Sequence, residues 1–157
     1  MKINKILILS FIMALTLGSC SKNDDFDPAK QAELDEALIV KFIADNKITA
    51  TKHSSGVYYQ ILSPGTGSVI YNANTVVTAK YTGRLLNGSI FDQTTTQIPS
   101  FALGKVIVGW QIGVPLIQKG GKIRILIPSQ YGYGRNVAGT IPANSVLDFD
   151  IELTDVK

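Results

Sequence analysis

The stretch Val106-Ile107-Val108-Gly109-Trp110 decides the fold of this chain. It holds the only tryptophan, and its pattern predicts the start of a short helix within a domain that is otherwise rich in strand signals. Pro115 follows closely and cannot supply a helical N–H donor, so the helix must end near it. Because the Trp110 indole carries a large apolar surface, we expect it to form the floor either of a core or of a pocket.

Alternation of apolar and polar residues on both sides of this stretch predicts strands. The longest is expected at residues 75–86, and Asn87-Gly88 follows it as a two-residue turn in which both residues would adopt positive φ. At residues 122–127, three isoleucines alternate with Lys122, Arg124 and Leu126, which predicts a strand with one buried face. Further strands are predicted at residues 57–62, 100–103 and 147–153.

An N-terminal amphipathic helix is predicted within residues 28–50. Asp27 is a suitable N-cap, Pro28 is a suitable first helical residue, and the helix is expected to end near Asn46. Its apolar stripe would either dock on the following domain or pair with a second copy of the chain. The stripe consists of Leu34, Leu38, Ile39, Phe42 and Ile43.

Residues 1–19 have the layout of a bacterial export signal. Lys2 and Lys5 precede an apolar run at residues 6–17, which is shorter than the roughly 20 residues that a membrane-spanning helix needs. The run leads to Leu17-Gly18-Ser19-Cys20, which resembles a lipobox whose cysteine is lipidated and becomes the first mature residue. The alternative is an ordinary secretory signal with an incidental cysteine.

Lipidation at Cys20 predicts a protein held in the cell envelope, because anchoring by more than one acyl chain is stable where one chain is marginal. Residues 20–27 would form a polar tether. The acidic stretch just after Cys20 resembles a surface-export signal of some Gram-negative groups, so both a periplasmic and a surface-facing position stay open. The outer membrane is the expected location.

Composition excludes several classes of function. The formal charge is +3, and loss of Lys2 and Lys5 with the signal would leave +1, since 13 basic side chains would then face 12 acidic ones. A nearly neutral chain without a run of Lys and Arg argues against nucleic acid as a partner. Cys20 is the only cysteine and His53 the only histidine. The chain therefore has too few of these residues for the usual metal-ligand clusters and for Cys-His or Ser-His-Asp nucleophile systems.

Several separated motifs, in their order and spacing, resemble the FK506-binding-protein (FKBP) type of peptidyl-prolyl cis-trans isomerase over residues 56–157. The resemblance implies an α+β fold in which a curled antiparallel sheet wraps around one short helix, with the isomerase domain at residues 51–157. The motifs are Tyr81-Thr82-Gly83, Gly88-Ser89-Ile90-Phe91-Asp92, the stretch around Trp110, Tyr131-Gly132-Tyr133-Gly134, Ile141-Pro142 and Leu147-Asp148-Phe149-Asp150.

Taken alone, the aromatic residues of these motifs would be assigned to a core. The resemblance instead implies that they line a shallow pocket for a prolyl ring, with Trp110 as its floor. It implies that the Ile107 N–H and the Tyr133 hydroxyl donate to the substrate. Asp92 would either fix the Tyr81 hydroxyl or contact the twisting carbonyl. The implied catalytic residues are Tyr81, Asp92, Ile107 and Tyr133, and the implied substrate-binding residues are Tyr81, Phe91, Asp92, Phe101, Val106, Ile107, Trp110, Tyr133, Ile141 and Phe149.

The implied reaction needs no cofactor and no metal. The implied partners are proline-containing polypeptides of the envelope or secreted proteins, whose folding the enzyme would assist, and macrocycles of the FK506 and rapamycin type. The sequence departs from many members in having Pro99 where an aromatic is common, no basic residue at 93–98, and a short rim loop at 135–140. A non-catalytic proline-binding module of an envelope assembly is therefore the alternative to an active isomerase.

Overall fold

A computed structural model of the protein describes residues 26–157. The predicted signal at residues 1–19, the lipidation site Cys20 and residues 21–25 of the predicted tether lie outside the described residues. The elements in chain order are α1 (Pro28–Asp45), β1 (Thr51–Lys52), β2 (Tyr58–Ser63), β3 (Val76–Leu85), β4 (Ile90–Gln93), β5 (Ser100–Ala102), α2 (Val108–Gly113), β6 (Lys122–Ile127) and β7 (Leu147–Val156). Short 3₁₀ helices lie at Leu103–Lys105, Val114–Leu116 and Ser129–Tyr131.

The strands form one antiparallel sheet in the order β1-β2-β6-β7-β3-β4, with β5 also paired to β3. The long strands β3 and β7 pair along most of their length at the centre of the sheet. Register shifts interrupt the β2–β6, β3–β4 and β3–β7 ladders. Such irregularities bend a strand and increase its twist, which allows the sheet to curl around a helix as predicted.

Helix α2 packs against β6 on the concave side of the sheet. The contact is close because α2 presents glycines to the strand: a Cβ at Gly109 would overlap Ile127, and one at Gly113 would overlap Ile125. Trp110 lies between these glycines and joins the main core cluster. The stretch Val106-Ile107-Val108-Gly109-Trp110 thus contains the start of the helix around which the sheet curls, as its pattern predicts.

Helix α1 docks on the opposite face of the sheet, which confirms the docking alternative. Asp27 caps the helix by accepting hydrogen bonds from Ala29 N and Lys30 N. Ile39 is fully buried and packs in a second cluster with Tyr58 and Leu126. Because this cluster covers the outer face of β6, Leu126 is 1 % exposed, and the prediction that only one face of this strand is buried is wrong.

The predicted apolar stripe of α1 is only partly correct. Leu34 and Leu38 are each 51 % exposed, whereas Asp35 and Ile39 are buried. The helix is rotated relative to the prediction because Ser129, in the 3₁₀ helix that follows β6, donates two hydrogen bonds to the Asp35 carboxylate. Hydrophobic periodicity assigns this residue type to the solvent side.

The hairpin between β3 and β4 also differs from its prediction. Only Gly88 has positive φ, at 88°, and Asn87 does not. Leu85 N donates to Ser89 O and Gly88 N donates to Leu85 O, each at 2.9 Å, which encloses a three-residue loop. This is the pattern of a turn followed by one left-handed glycine, so the two-residue turn predicted from Asn87-Gly88 is wrong.

Within residues 26–157, no helix is both long enough and apolar enough to cross a membrane.

Candidate functional site: an apolar cavity above Trp110

A cavity of about 300 Å³ opens beside α2, between that helix, β3 and the loop after β6. Its size lies at the lower end of the range for small-molecule pockets. The structure brings together most of the predicted site residues here. The lining consists of Tyr81, Asp92, Phe101, Lys105, Val106, Ile107, Trp110, Tyr133 and Phe149.

The floor of the cavity is the Trp110 indole, which is 4 % exposed. Its ring centroid lies 5.3 Å from Tyr81, 5.8 Å from Phe101 and 5.5 Å from Phe149, and each pair meets edge to face. Edge-to-face pairs at these distances are favourable beyond the area that they bury. The indole is therefore fixed in orientation on three sides while it still contributes to the bottom of the cavity.

Phe149 is held in place from behind by Phe91. The two rings are T-shaped with centroids 5.5 Å apart. They meet across Gly83 on β3, where an added Cβ would lie 2.6 Å from Phe149 and 2.7 Å from Phe91. Phe91, predicted as a substrate-binding residue, is not among the residues that line the cavity, and it packs against the lining residue Phe149.

Tyr81 and Asp92 form a hydrogen-bonded pair at the side of the cavity. The Tyr81 hydroxyl donates to Asp92 Oδ2 over 2.7 Å. Burial, together with this hydrogen bond and the negative charge of Asp92, raises the pKa of Tyr81 to about 12. Tyr81 is accordingly a neutral donor at ordinary pH. Of the two roles that the sequence left open for Asp92, the structure shows the first, a hydrogen bond that fixes the Tyr81 hydroxyl.

Several hydrogen-bond donors in the lining have no acceptor among residues 26–157, and two of them were predicted to bind the substrate. One is the backbone N–H of Ile107, the N-cap residue of α2, and the other is the hydroxyl of Tyr133. Burial raises the pKa of Tyr133, and the charge of Asp92 raises it further, so this hydroxyl also stays protonated. Tyr133 is 39 % exposed, which places its hydroxyl where a bound peptide can reach it.

Gln111 supports this edge of the cavity, since its Nε2 donates to Val106 O over 2.8 Å. The contact ties the residue before Ile107 to the second turn of α2 and fixes the backbone that carries the Ile107 N–H.

The lining differs from the prediction at two further positions. Ile141 is 4 % exposed and belongs to the core cluster, because its backbone pairs with Ala138 and folds the side chain inward. Lys105 lines the cavity and was not predicted. It directly precedes Val106, so its position in the chain was the available signal.

A larger concavity, of about 640 Å³, lies on the outer face of the sheet. Its walls carry Lys80, Thr82, Lys122 and Glu152, which alternate along their strands with the residues that face the core. Ligand pockets are mostly apolar with a few fixed polar groups, and the smaller cavity above Trp110 fits that description better. Residues 26–157 contain no group of three or more His, Cys, Asp or Glu placed to hold a metal ion.

Comparison with known proteins agrees with this geometry. The family model described as FKBP-type peptidyl-prolyl cis-trans isomerase matches residues 67–154. The chain is 46 % identical over 109 residues to the FKBP-type isomerase FkpA of Buchnera aphidicola, which covers 68 % of this chain and 43 % of the relative. It is 42 % identical over 145 residues to a probable FKBP-type isomerase of Haemophilus influenzae, covering 90 % of this chain and 59 % of the relative.

Among solved structures, a peptidyl-prolyl cis-trans isomerase of Pseudomonas syringae is similar with a TM-score of 0.70 and 34 % identity. The match covers 85 % of this chain and 98 % of that one. The chain belongs to the FKBP-type peptidyl-prolyl cis-trans isomerase family. It spans about half the length of the curated relatives that it matches.

Proposed function

We propose that this protein is an active peptidyl-prolyl cis-trans isomerase that acts on X-Pro bonds of envelope or secreted proteins and assists their folding. The observation that carries the proposal is the apolar cavity floored by Trp110, with the unpaired donors of Ile107 and Tyr133 in its lining. A prolyl ring is compact and apolar, and a cavity of about 300 Å³ has room for it.

The reaction to be accelerated is rotation about an amide bond. Resonance keeps the peptide planar, and the barrier to rotation is about 18–20 kcal/mol. For X-Pro bonds the two end states are close in energy, yet uncatalysed exchange takes on the order of 10–100 s at 25 °C. Because no covalent bond is made or broken, the chemistry requires no nucleophile.

An apolar cavity assists rotation because the twisted amide loses conjugation and with it much of its charge separation. A water-poor site disfavours the polar planar form relative to the twisted form, and only such differential stabilisation raises the rate. The ring of Trp110, held edge to face by three aromatic neighbours, supplies an apolar surface that does not need to reorganise during the reaction.

Fixed donors hold the substrate in the rotated geometry. We assign this role to the Ile107 N–H and the Tyr133 hydroxyl, which would donate to carbonyl groups that flank the prolyl bond. Asp92 is assigned a positioning role: it accepts from the Tyr81 hydroxyl over 2.7 Å and thereby orients the Tyr81 ring against Trp110. Val106, Phe101 and Phe149 complete the apolar wall.

The direct test is a protease-coupled assay of cis-trans exchange in a prolyl tetrapeptide. Wild-type protein should accelerate exchange, and Tyr133→Phe should reduce kcat/KM. The matched control is Tyr71→Phe, which removes a phenol hydroxyl bonded to Ile117 O at 2.7 Å outside the cavity and should retain wild-type activity.

An exchange rate equal to the uncatalysed rate would overturn the catalytic proposal. If such an inactive protein still bound a proline-containing macrocycle, the result would favour the alternative of a non-catalytic proline-binding module. The same cavity leads us to infer that macrocycles of the FK506 and rapamycin type bind above Trp110.

Anchoring to a membrane is a separate part of the proposal. It rests on the sequence around Cys20, where the export signal ends in a lipobox-like motif and provides the sole cysteine of the chain. Cys20→Ser, expressed from the full chain, should move the protein from the membrane fraction to the soluble fraction. Retention of the variant on membranes would show that Cys20 is not the anchor. Protease treatment of intact cells then distinguishes the surface-facing position from the periplasmic one.

A further inference from the structure

A carboxylate on α1 is fully buried against the loop that carries Tyr133. Asp35 has 0 % exposure. Its Oδ2 accepts hydrogen bonds from Ser129 N over 2.7 Å and from Ser129 Oγ over 2.6 Å, and its Oδ1 accepts from Gln31 Nε2 over 2.8 Å. The contact joins residues 94 positions apart in the chain.

Ser129 is in turn the residue that shapes the Tyr133 loop. It starts the 3₁₀ helix Ser129–Tyr131, whose N-cap residue Pro128 makes no side-chain capping bond. Asp35 therefore supplies, from another element, the acceptor that the first N–H of this turn needs. At the other end, Ser129 O accepts from Gly132 N at 3.0 Å and from Gly134 N at 2.9 Å, the two residues that flank Tyr133.

The energetics indicate a specific role for this contact. Burial of a carboxylate is unfavourable unless hydrogen bonds compensate for the lost water. The donors to Asp35 are an amide, a backbone N–H and a hydroxyl, all of them neutral. Apolar packing by Ile39 already attaches α1 to the sheet, so a charged group is not required for docking.

A second contact joins the same two regions. The Arg135 guanidinium lies 4.5 Å from the ring centroid of Phe26, just before the N-cap of α1. Arg135 follows Tyr133 by two residues. Asp35 within α1 and Phe26 just before the helix therefore contact the loop on both sides of Tyr133, through Ser129 and through Arg135.

We propose that Asp35 is a positioning residue, which holds the Tyr133 hydroxyl at the rim of the cavity through Ser129 and so makes α1 part of the catalytic unit. This inference rests on the proposed isomerase function, with Tyr133 as a donor to the substrate. Displacement of a catalytic group by about 1 Å can lower a rate by up to about 100-fold.

The test is a double-mutant cycle on the full chain, with kcat/KM for a prolyl tetrapeptide as the measurement. Asp35→Ala should lower kcat/KM about 10-fold in the wild-type background. In the Tyr133→Phe background the same change should cost less than about twofold, because the group that Asp35 positions is already absent. A merely structural role would give the same loss in both backgrounds and would overturn the proposal.

The matched control is Glu36→Ala. Glu36 is the adjacent carboxylate and also links α1 to the sheet, through the Tyr58 hydroxyl at 3.0 Å and Lys52, but it does not touch the Tyr133 loop. It should keep kcat/KM within about twofold of wild type. Loss in Glu36→Ala equal to that in Asp35→Ala would also overturn the proposal. If Asp35→Ala does not fold, Asp35→Asn is measured in both backgrounds by the same criterion.

Amide hydrogen exchange separates this inference from the proposed activity. Asp35→Ala should accelerate exchange at Gly132 N and Gly134 N by about 10-fold or more, whereas Glu36→Ala should not. If the wild type were inactive, the proposed function would fail while the exchange measurement would still decide whether Asp35 orders the loop. Unchanged exchange in Asp35→Ala would overturn the positioning role.

Discussion

The Tyr81 hydroxyl on β3 donates a 2.7 Å hydrogen bond to Asp92 Oδ2 on β4, directly beside the Trp110 indole. The pair fixes one wall of the cavity with a contact between two side chains on neighbouring strands. It also keeps Tyr81 neutral, because burial and the adjacent carboxylate both disfavour the tyrosinate.

The first prediction concerns pH. The pKa of Tyr81 is raised to about 12, with burial as the largest cause. The folded protein therefore retains this proton more strongly than the unfolded chain, whose tyrosines titrate near a pKa of about 10. The contribution of Tyr81 to stability should be complete below about pH 10 and be lost as the pH rises toward 12. Urea unfolding at a series of pH values measures this loss.

Its control is Asp92→Asn, which removes the charge but leaves the burial. The pKa of Tyr81 should fall in this variant and still exceed the ordinary tyrosine value, as followed by the ultraviolet absorbance of tyrosinate. An unchanged titration would mean that Asp92 does not influence Tyr81. Isomerase activity of the wild type should be independent of pH between about pH 6 and pH 9, because the hydroxyls of Tyr81 and Tyr133 both stay protonated in this range.

The second prediction concerns the cavity floor. Trp110→Leu removes the ring that contacts Tyr81, Phe101 and Phe149, and it should weaken binding of an FK506-class macrocycle. Tyr133→Phe removes one donor and should weaken binding by about 1 kcal/mol, which is between fivefold and tenfold. Calorimetric titration gives both affinities. Unchanged affinity in both variants would show that the ligand does not occupy this cavity.

The third prediction concerns Gly83, the glycine that lies against the wall residue Phe149. Gly83→Ala places a methyl group 2.6 Å from Phe149 and 2.7 Å from Phe91, so one ring must move. Overpacking of this kind costs about 1–3 kcal/mol, and displacement of Phe149 should also lower kcat/KM. Gly88→Ala is the control, because its cost arises from backbone strain at φ 88° in a hairpin outside the site. It should lose stability and keep its activity.

The fourth prediction concerns a buried ion pair. Asp148 is 2 % exposed and accepts two hydrogen bonds of 2.8 Å from Arg124. Arg124→Met leaves this carboxylate without its main partner and should lower the free energy of unfolding by about 3–5 kcal/mol. Lys41→Met breaks the exposed pair with Asp45 and should cost no more than about 0.5 kcal/mol. Urea unfolding measures the loss in free energy of unfolding for both variants. Similar losses in the two would contradict this reasoning.

The cavity floor and most of its wall were predictable from sequence because their signals are local. Trp110 is the only tryptophan, it follows a strand-like segment, and Pro115 limits the helix on which it lies. Alternation along β3 and β7 placed Tyr81 and Phe149 on the core side. Their spacing, together with the family resemblance, then grouped residues that are far apart in the chain.

Other features depended on contacts that periodicity does not encode. Asp35 is not part of the predicted apolar stripe of α1, yet it is fully buried, because Ser129 supplies two donors from a distant loop. Leu126 was assigned to an exposed face and is covered by α1. The Asn87-Gly88 dipeptide predicted a two-residue turn, whereas the register of β3 with β4 requires one further loop residue.

The sequence by itself determined which residues carry apolar surface and which strands and helices they join, since these follow from side-chain period and turn residues. Only the tertiary structure decided that Ile141 is buried, that Lys105 lines the cavity and that α1 contacts the Tyr133 loop through a buried carboxylate. The physical reason is that the cost of burial at one residue is compensated by donors and packing partners from distant parts of the chain, which no local pattern contains.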